Sequence, residues 1–122
     1  MRVVVLALLL GGAVLAPAWA QSGGRDFILR GSGAAMPCGA WNELRAAAGG
    51  MFAVQKRETY RSTIGWALGY LSGAARFSED LDPLRNTDEE QTVAWLIAYC
   101  QAHPATEFRL ALEAFIEAHK AR

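Results

Sequence analysis

The sequence predicts an all-α fold: a small bundle of about four helices, closed by one disulfide and preceded by a glycine-rich N-terminal arm. Three observations carry that prediction. Apolar residues recur at helical spacing in the long segments, a T-x-x-E signature opens one of them, and no stretch alternates apolar and polar as a half-buried strand would.

In chain order, the first element is a secretory signal. Arg2 gives a positive start, Val3 to Leu15 is an unbroken run of apolar residues and glycine, and Ala18-Trp19-Ala20 is an A-x-A cleavage site. Only about thirteen apolar residues precede Pro17, whereas a membrane span needs roughly 20. Cleavage after Ala20 is therefore expected, with Gln21 opening the mature chain and no cysteine there to carry a lipid. The organisation is residues 1–20 signal peptide, 21–37 glycine-rich arm and 38–122 helical domain. A periplasmic or secreted protein is expected, with no stable membrane insertion after cleavage.

The arm (QSGGRDFILRGSGAAMP) holds one apolar cluster, Phe27-Ile28-Leu29, and reads as extended. Cys38 to Ala48 predicts a short helix with Trp41, Leu44 and Ala48 on one face, stopped by Gly49-Gly50. From about Phe52 to Phe77, Tyr60, Ile64, Ala67, Leu68, Leu71 and Ala75 fall in one stripe, while Trp66, Tyr70 and Phe77 lie roughly opposite. No charge occurs between Arg61 and Arg76, so this helix is expected at the centre of the bundle. Gly65, Gly69 and Gly73 make a smooth strip along it, at a cost of about 1 kcal/mol each relative to alanine. Close approach of a neighbouring helix or of the arm is the expected offset; a groove for a ligand or partner is the alternative.

Ser78 to Asn86 is an acidic loop with one proline, and Thr87-Asp88-Glu89-Glu90 reads as a capping box. Val93, Leu96, Ile97 and Cys100 then share a face, Trp95 and Tyr99 take another, and His103-Pro104 ends the helix. Thr106 is expected to cap a last helix on which Phe108, Ala111, Leu112, Phe115 and Ile116 line up, with Lys120 and Arg122 at its negative end.

Removing Arg2 with the signal leaves eleven basic against twelve acidic residues. The nearest approach to a basic cluster is Arg57 with Arg61, which argues against a nucleic-acid partner. A domain of this size buries a marginal core. Two cysteines in an exported chain supply a staple: a Cys38–Cys100 bridge would contribute roughly 4 kcal/mol in the loop-closure picture.

The chain carries no G-x-S-x-G or Cys-His signature and no paired C-x-x-C or H-E-x-x-H, so a non-enzymatic protein without catalytic, cofactor-binding or metal-ligating residues is expected. Asp80 and Asp82 begin an alternation of oxygen ligands that Leu84 breaks. Gly31 and Gly33 look like a fragment of a phosphate loop without its preceding strand. His103 and His119 read as cap and core residues. The Trp66/Tyr70 and Trp95/Tyr99 pairs each place an indole one helical turn from a phenol, a geometry suited to core packing or to a sticky surface. The candidate partner-binding residues are accordingly Gly65, Trp66, Gly69, Tyr70, Gly73, Trp95 and Tyr99.

Three segments, GSGAAMPCGAW at 31–41, GWALGYLSG at 65–73 and AWLIAYCQAHP at 94–104, resemble the small exported proteobacterial proteins of the HdeA-like type. The resemblance implies an all-helical periplasmic domain with one disulfide between the positions matching Cys38 and Cys100. HdeA is an acid-activated chaperone, a homodimer at neutral pH that loosens on acidification and binds unfolding proteins, so an acid-stress role with unfolding periplasmic proteins as partners is the leading expectation. Neutralising the carboxylates would carry the mature chain to about +13 with both histidines charged, and self-repulsion would loosen a small bundle. Immunity proteins of the Tai type, which neutralise one secreted peptidoglycan-cleaving effector, are similar in class and give the alternative.

Overall fold

The computed structural model describes residues 29–78 and 81–120. The signal peptide, Phe27-Ile28 of the arm, and Glu79-Asp80 of the acidic loop lie outside them. Four helices follow in order: α1 (Cys38–Ala48), α2 (Val54–Phe77), α3 (Glu89–Ala102) and α4 (Phe108–Ala118). The described residues contain no strand, only a single bridge between Pro37 and Glu107.

The hub of the bundle is α1 rather than α2. It packs against α2, α3 and α4, whereas α2 packs on α1 and α4 and keeps an outer face. The reason is the content of α1's buried face, where Cys38 and Trp41 are both fully enclosed. Trp41 lies 4.6 Å from the Phe108 ring of α4 and 5.8 Å from Tyr60 of α2. Leu71, Leu96, Leu112 and Phe115 complete a core in which each large side chain stabilises by about 1.5–3 kcal/mol.

The buried line of α2 is Thr63, Ala67 and Leu71, with Tyr60 and Ile64 at its margin, so the stripe sits slightly round from the one the apolar pattern predicts. Threonine belongs there because its hydroxyl donates to the Thr59 carbonyl at 2.9 Å and leaves nothing unsatisfied. Thr92 does the same in α3, donating to the Asp88 carbonyl at 2.8 Å.

Two caps differ from their expected places. The capping box of α3 is Asp88 with Gln91, one residue later than T-x-x-E: Gln91 N–H donates to the Asp88 carboxylate at 2.8 Å, and Asp88 N–H to the Gln91 amide oxygen at 3.2 Å. Aspartate is the better N-cap, and the shift lets the Thr87 hydroxyl meet that of Thr92 at 2.6 Å. The N-cap of α4 is Glu107, not Thr106, and no side chain caps it.

Instead, the helix ends near the disulfide satisfy one another. The N–H groups that open α1 have no partner within the helix. Cys38 N–H donates to the Thr106 carbonyl and Gly39 N–H to the Pro104 carbonyl, while Phe108 N–H donates to the Met36 carbonyl, each at 2.8 Å. Gly39 eases this closeness, because a Cβ there would stand 3.2 Å from the Pro104 carbonyl oxygen and the junction would have to give by a few tenths of an ångström. The Cys38–Cys100 disulfide, with Cα atoms 4.8 Å apart, locks the same junction across 62 residues of sequence.

Candidate functional site

The glycine strip is open. A Cβ built on Gly65, Gly69 or Gly73 meets nothing within 4 Å, so neither a helix nor the described part of the arm approaches it. The expectation of close packing fails for a geometric reason: α1 and α4 take the opposite side of α2, and the strip is the face left over. At the far end of α2 Phe77 stands 88% exposed, with the Arg76 guanidinium 5.8 Å above its ring.

The arm lies beside the strip, over Trp66. Its described part is folded rather than extended: residues 32–35 form a turn, closed by Ala34 N–H donating to the Gly31 carbonyl at 3.2 Å. The indole N–H of Trp66 donates to the Arg30 carbonyl at 2.8 Å. A Cβ on Gly31 would fall 2.3 Å from Trp66 Cδ1, and one on Gly33 would fall 2.3 Å from Trp66 Cε3. Gly31 also has φ of 126°, a conformation L-residues avoid. The glycines of GSG are thus there to let backbone lie flat on an aromatic ring.

Trp66 and Tyr70, 5.7 Å apart, are half-buried and pack against the core. Burial raises the Tyr70 phenol above its ordinary pKa, helped by Glu113 and opposed by Arg109. Burial also raises Tyr60, against the lowering effect of Arg45. Trp95 and Tyr99 stack at 5.3 Å, with Trp95 edge-on to Phe115, and they too are half-buried against the core. Of the candidate residues, Gly65, Trp66, Gly69, Tyr70 and Gly73 share one side of the bundle around α2. Trp95 and Tyr99 belong to the α3–α4 packing and do not join that surface.

Both histidines close helices in the same way. The Nδ1 of His103 lies 2.9 Å from the Tyr99 carbonyl, and that of His119 lies 2.9 Å from the Phe115 carbonyl. Each ring stacks on the aromatic side chain one turn back, at 4.3 Å and 4.0 Å. A polar cleft of about 240 Å³ runs beside His119 and Lys120, facing Asp82, Arg85 and Thr87. It contains no nucleophile paired with a base. No group of three or more His, Cys, Asp or Glu side chains gathers as a ligand set among the described residues.

Sequence reasoning missed one exposed feature. Met51 and Phe52, in the turn between α1 and α2, are 86% and 92% exposed, and Val54 beside them is exposed as well. The readable signal was an apolar run, Met51 to Val54, placed after the Gly49-Gly50 stop and outside any buried stripe.

No helix of the described residues is long and apolar enough to cross a membrane. A disulfide built into the core suits a non-reducing compartment. No family model matches the chain, no curated protein does, and no solved structure does.

Proposed function

We propose that this chain is a non-enzymatic, exported protein-binding domain acting in the periplasm, and most concretely an acid-responsive chaperone resembling the HdeA-like type. What carries the reading is the uncovered side of α2: three glycines that nothing touches, flanked by Trp66 and Tyr70 and ending at exposed Phe77. A smooth, apolar-edged helix face accepts an extended segment of another chain without side-chain clashes.

The acid response follows from charge. Glu58–Arg61 at 3.3 Å, Asp82–Arg85 at 3.3 Å and Glu117–Lys120 at 2.6 Å lie at the surface, while half-buried Arg109 pairs with Glu107 and Glu113. Surface pairs contribute roughly 0–1 kcal/mol each. Neutralising their carboxylates therefore removes little local binding energy but leaves a large uncompensated positive charge that loosens the bundle. Wider exposure of the Trp66 and Tyr70 surface is the expected result.

The test is light scattering from an acid-unfolded periplasmic client, with and without the mature protein, at neutral and acidic pH. Suppression of aggregation at acidic pH, lost in Gly69→Leu, supports the reading. Failure to suppress at either pH overturns it. Tight, pH-independent capture of one peptidoglycan-cleaving enzyme would also overturn it, in favour of a Tai-type immunity role.

A further inference from the structure

The α1–α2 turn is a second surface, distinct from the open side of α2. Met51 and Phe52 project into solvent at 86% and 92% exposure, and Val54 stands with them at 64%. Three large apolar side chains within four residues, none covered, is a contiguous patch of the kind that marks an interaction site. Beneath it lies a shallow hollow of about 500 Å³ lined by Ala47, Gly50, Ala53 and Lys56.

The turn is held in place. Ala53 N–H donates to the Gly50 carbonyl at 3.2 Å, and the Arg57 guanidinium straps the turn from below, reaching the Gly50 carbonyl at 3.0 Å and the Ala48 carbonyl at 3.4 Å. The apolar tip therefore projects from a braced base.

Charge selects the partner. From Glu43 to Thr63 the chain carries Arg45, Lys56, Arg57 and Arg61 against Glu43 and Glu58, and Glu58 is paired with Arg61. The opposite end of the bundle, a 24-residue helix away, is nearly balanced, with Asp82, Asp88, Glu89 and Glu90 against Arg76, Arg85 and Lys120. An apolar tip on a cationic collar matches a surface that is soft and apolar inside and anionic at its face. The apolar groups of the tip stand in solvent rather than in the hollow's depth, as insertion into a soft surface requires.

We propose that the α1–α2 turn docks the domain on an anionic phospholipid bilayer, with Met51, Phe52 and Val54 entering the headgroup–acyl boundary and Lys56 and Arg61 facing lipid phosphates. This docking is peripheral and is independent of the chaperone reading.

The experiment is vesicle flotation of the mature protein with phosphatidylcholine alone and with about 30 mol% phosphatidylglycerol, the anionic fraction setting the surface potential. Three variants accompany it: Met51→Ser/Phe52→Ser, Lys56→Glu, and Phe77→Ser as an equally exposed apolar control at the far end of α2. All four positions are on the surface, and unchanged melting temperatures confirm folding. The wild type should float with anionic vesicles only and be released by salt. The double serine variant should bind at least about 100-fold more weakly, since two large apolar side chains lose their burial. Lys56→Glu should bind about ten-fold more weakly or worse, as a cation near the surface is replaced by an anion, and Phe77→Ser should bind as wild type. Absence of wild-type flotation, undiminished flotation of the double serine variant, or equal loss in Phe77→Ser would overturn the proposal. Loss of a protein partner by the double serine variant, without any vesicle binding by the wild type, would reassign the tip to a protein interface.

Discussion

Replacing Gly65, Gly69 and Gly73 together with alanine should stabilise the domain. Each glycine in a helix interior costs about 0.8–1.0 kcal/mol relative to alanine. The added methyls meet nothing within 4 Å, so no packing penalty offsets the gain. The three changes lie on one face of one helix but do not touch one another, and their effects should add to roughly 2–3 kcal/mol. For a domain this small, that corresponds to a rise in melting temperature on the order of 10 °C. Thermal unfolding followed by far-ultraviolet circular dichroism, at two protein concentrations, reads it directly. Gly69→Leu should likewise be tolerated in isolation. A melting temperature that falls in the triple variant would refute the reasoning, because it would mean the strip is covered in solution. Concentration dependence of that fall would identify the cover as a second copy.

Gly33→Ala should do the reverse: its Cβ would sit 2.3 Å from Trp66 Cε3, so the arm must lift or the indole must move, at a cost on the order of 1–3 kcal/mol by overpacking. A lower melting temperature with a changed near-ultraviolet dichroism would show it, and unchanged values would mean the arm does not rest on Trp66. Removing both Cys38 and Cys100 should destabilise by roughly 4 kcal/mol across the 62-residue separation, read as a lower urea midpoint than that of the oxidised wild type. Alkaline stability should fall as well. Tyr60 and Tyr70 have folded-state pKa values raised above 10.0, so the folded state holds their protons longer than the unfolded chain does; their contribution is complete below pH 10.0 and is lost as pH climbs through the raised values. Tyr60→Phe/Tyr70→Phe should flatten that decline in urea titrations at rising pH, and an unaltered slope would show that other groups set it.

The helices were legible because their signals are local. The Cys38–Ala48 helix ends at a double glycine, and the α4 stripe of Phe108, Ala111, Leu112 and Phe115 is buried as its spacing requires. Periodicity assigns residues to a common face but does not say what opposes that face. That is why the glycine strip was misread as a packing surface, and why α2 looked central on the strength of its charge-free stretch between Arg61 and Arg76. The GSG segment was opaque for the same reason: its glycines answer to Trp66, more than thirty positions away. The cap of α3 slipped by one residue because Thr87 and Asp88 are both competent caps, and the choice between them rests on a hydroxyl contact to Thr92 that no local motif encodes.

The junction at the disulfide ties the first helix to residues far along the sequence. The carbonyls of Pro104 and Thr106 that receive the N–H groups of Gly39 and Cys38, and the Phe108 ring that covers Trp41, come more than sixty residues later in the chain. The first helix cannot be completed until those residues are present, so a chain stopped before them leaves its hub uncovered. Once Cys38 and Cys100 are joined, the opposite holds. A single cut in the loop between Phe77 and Thr87 would leave two pieces that share a covalent bond and a common core, and gel mobility without reductant would register an intact molecule.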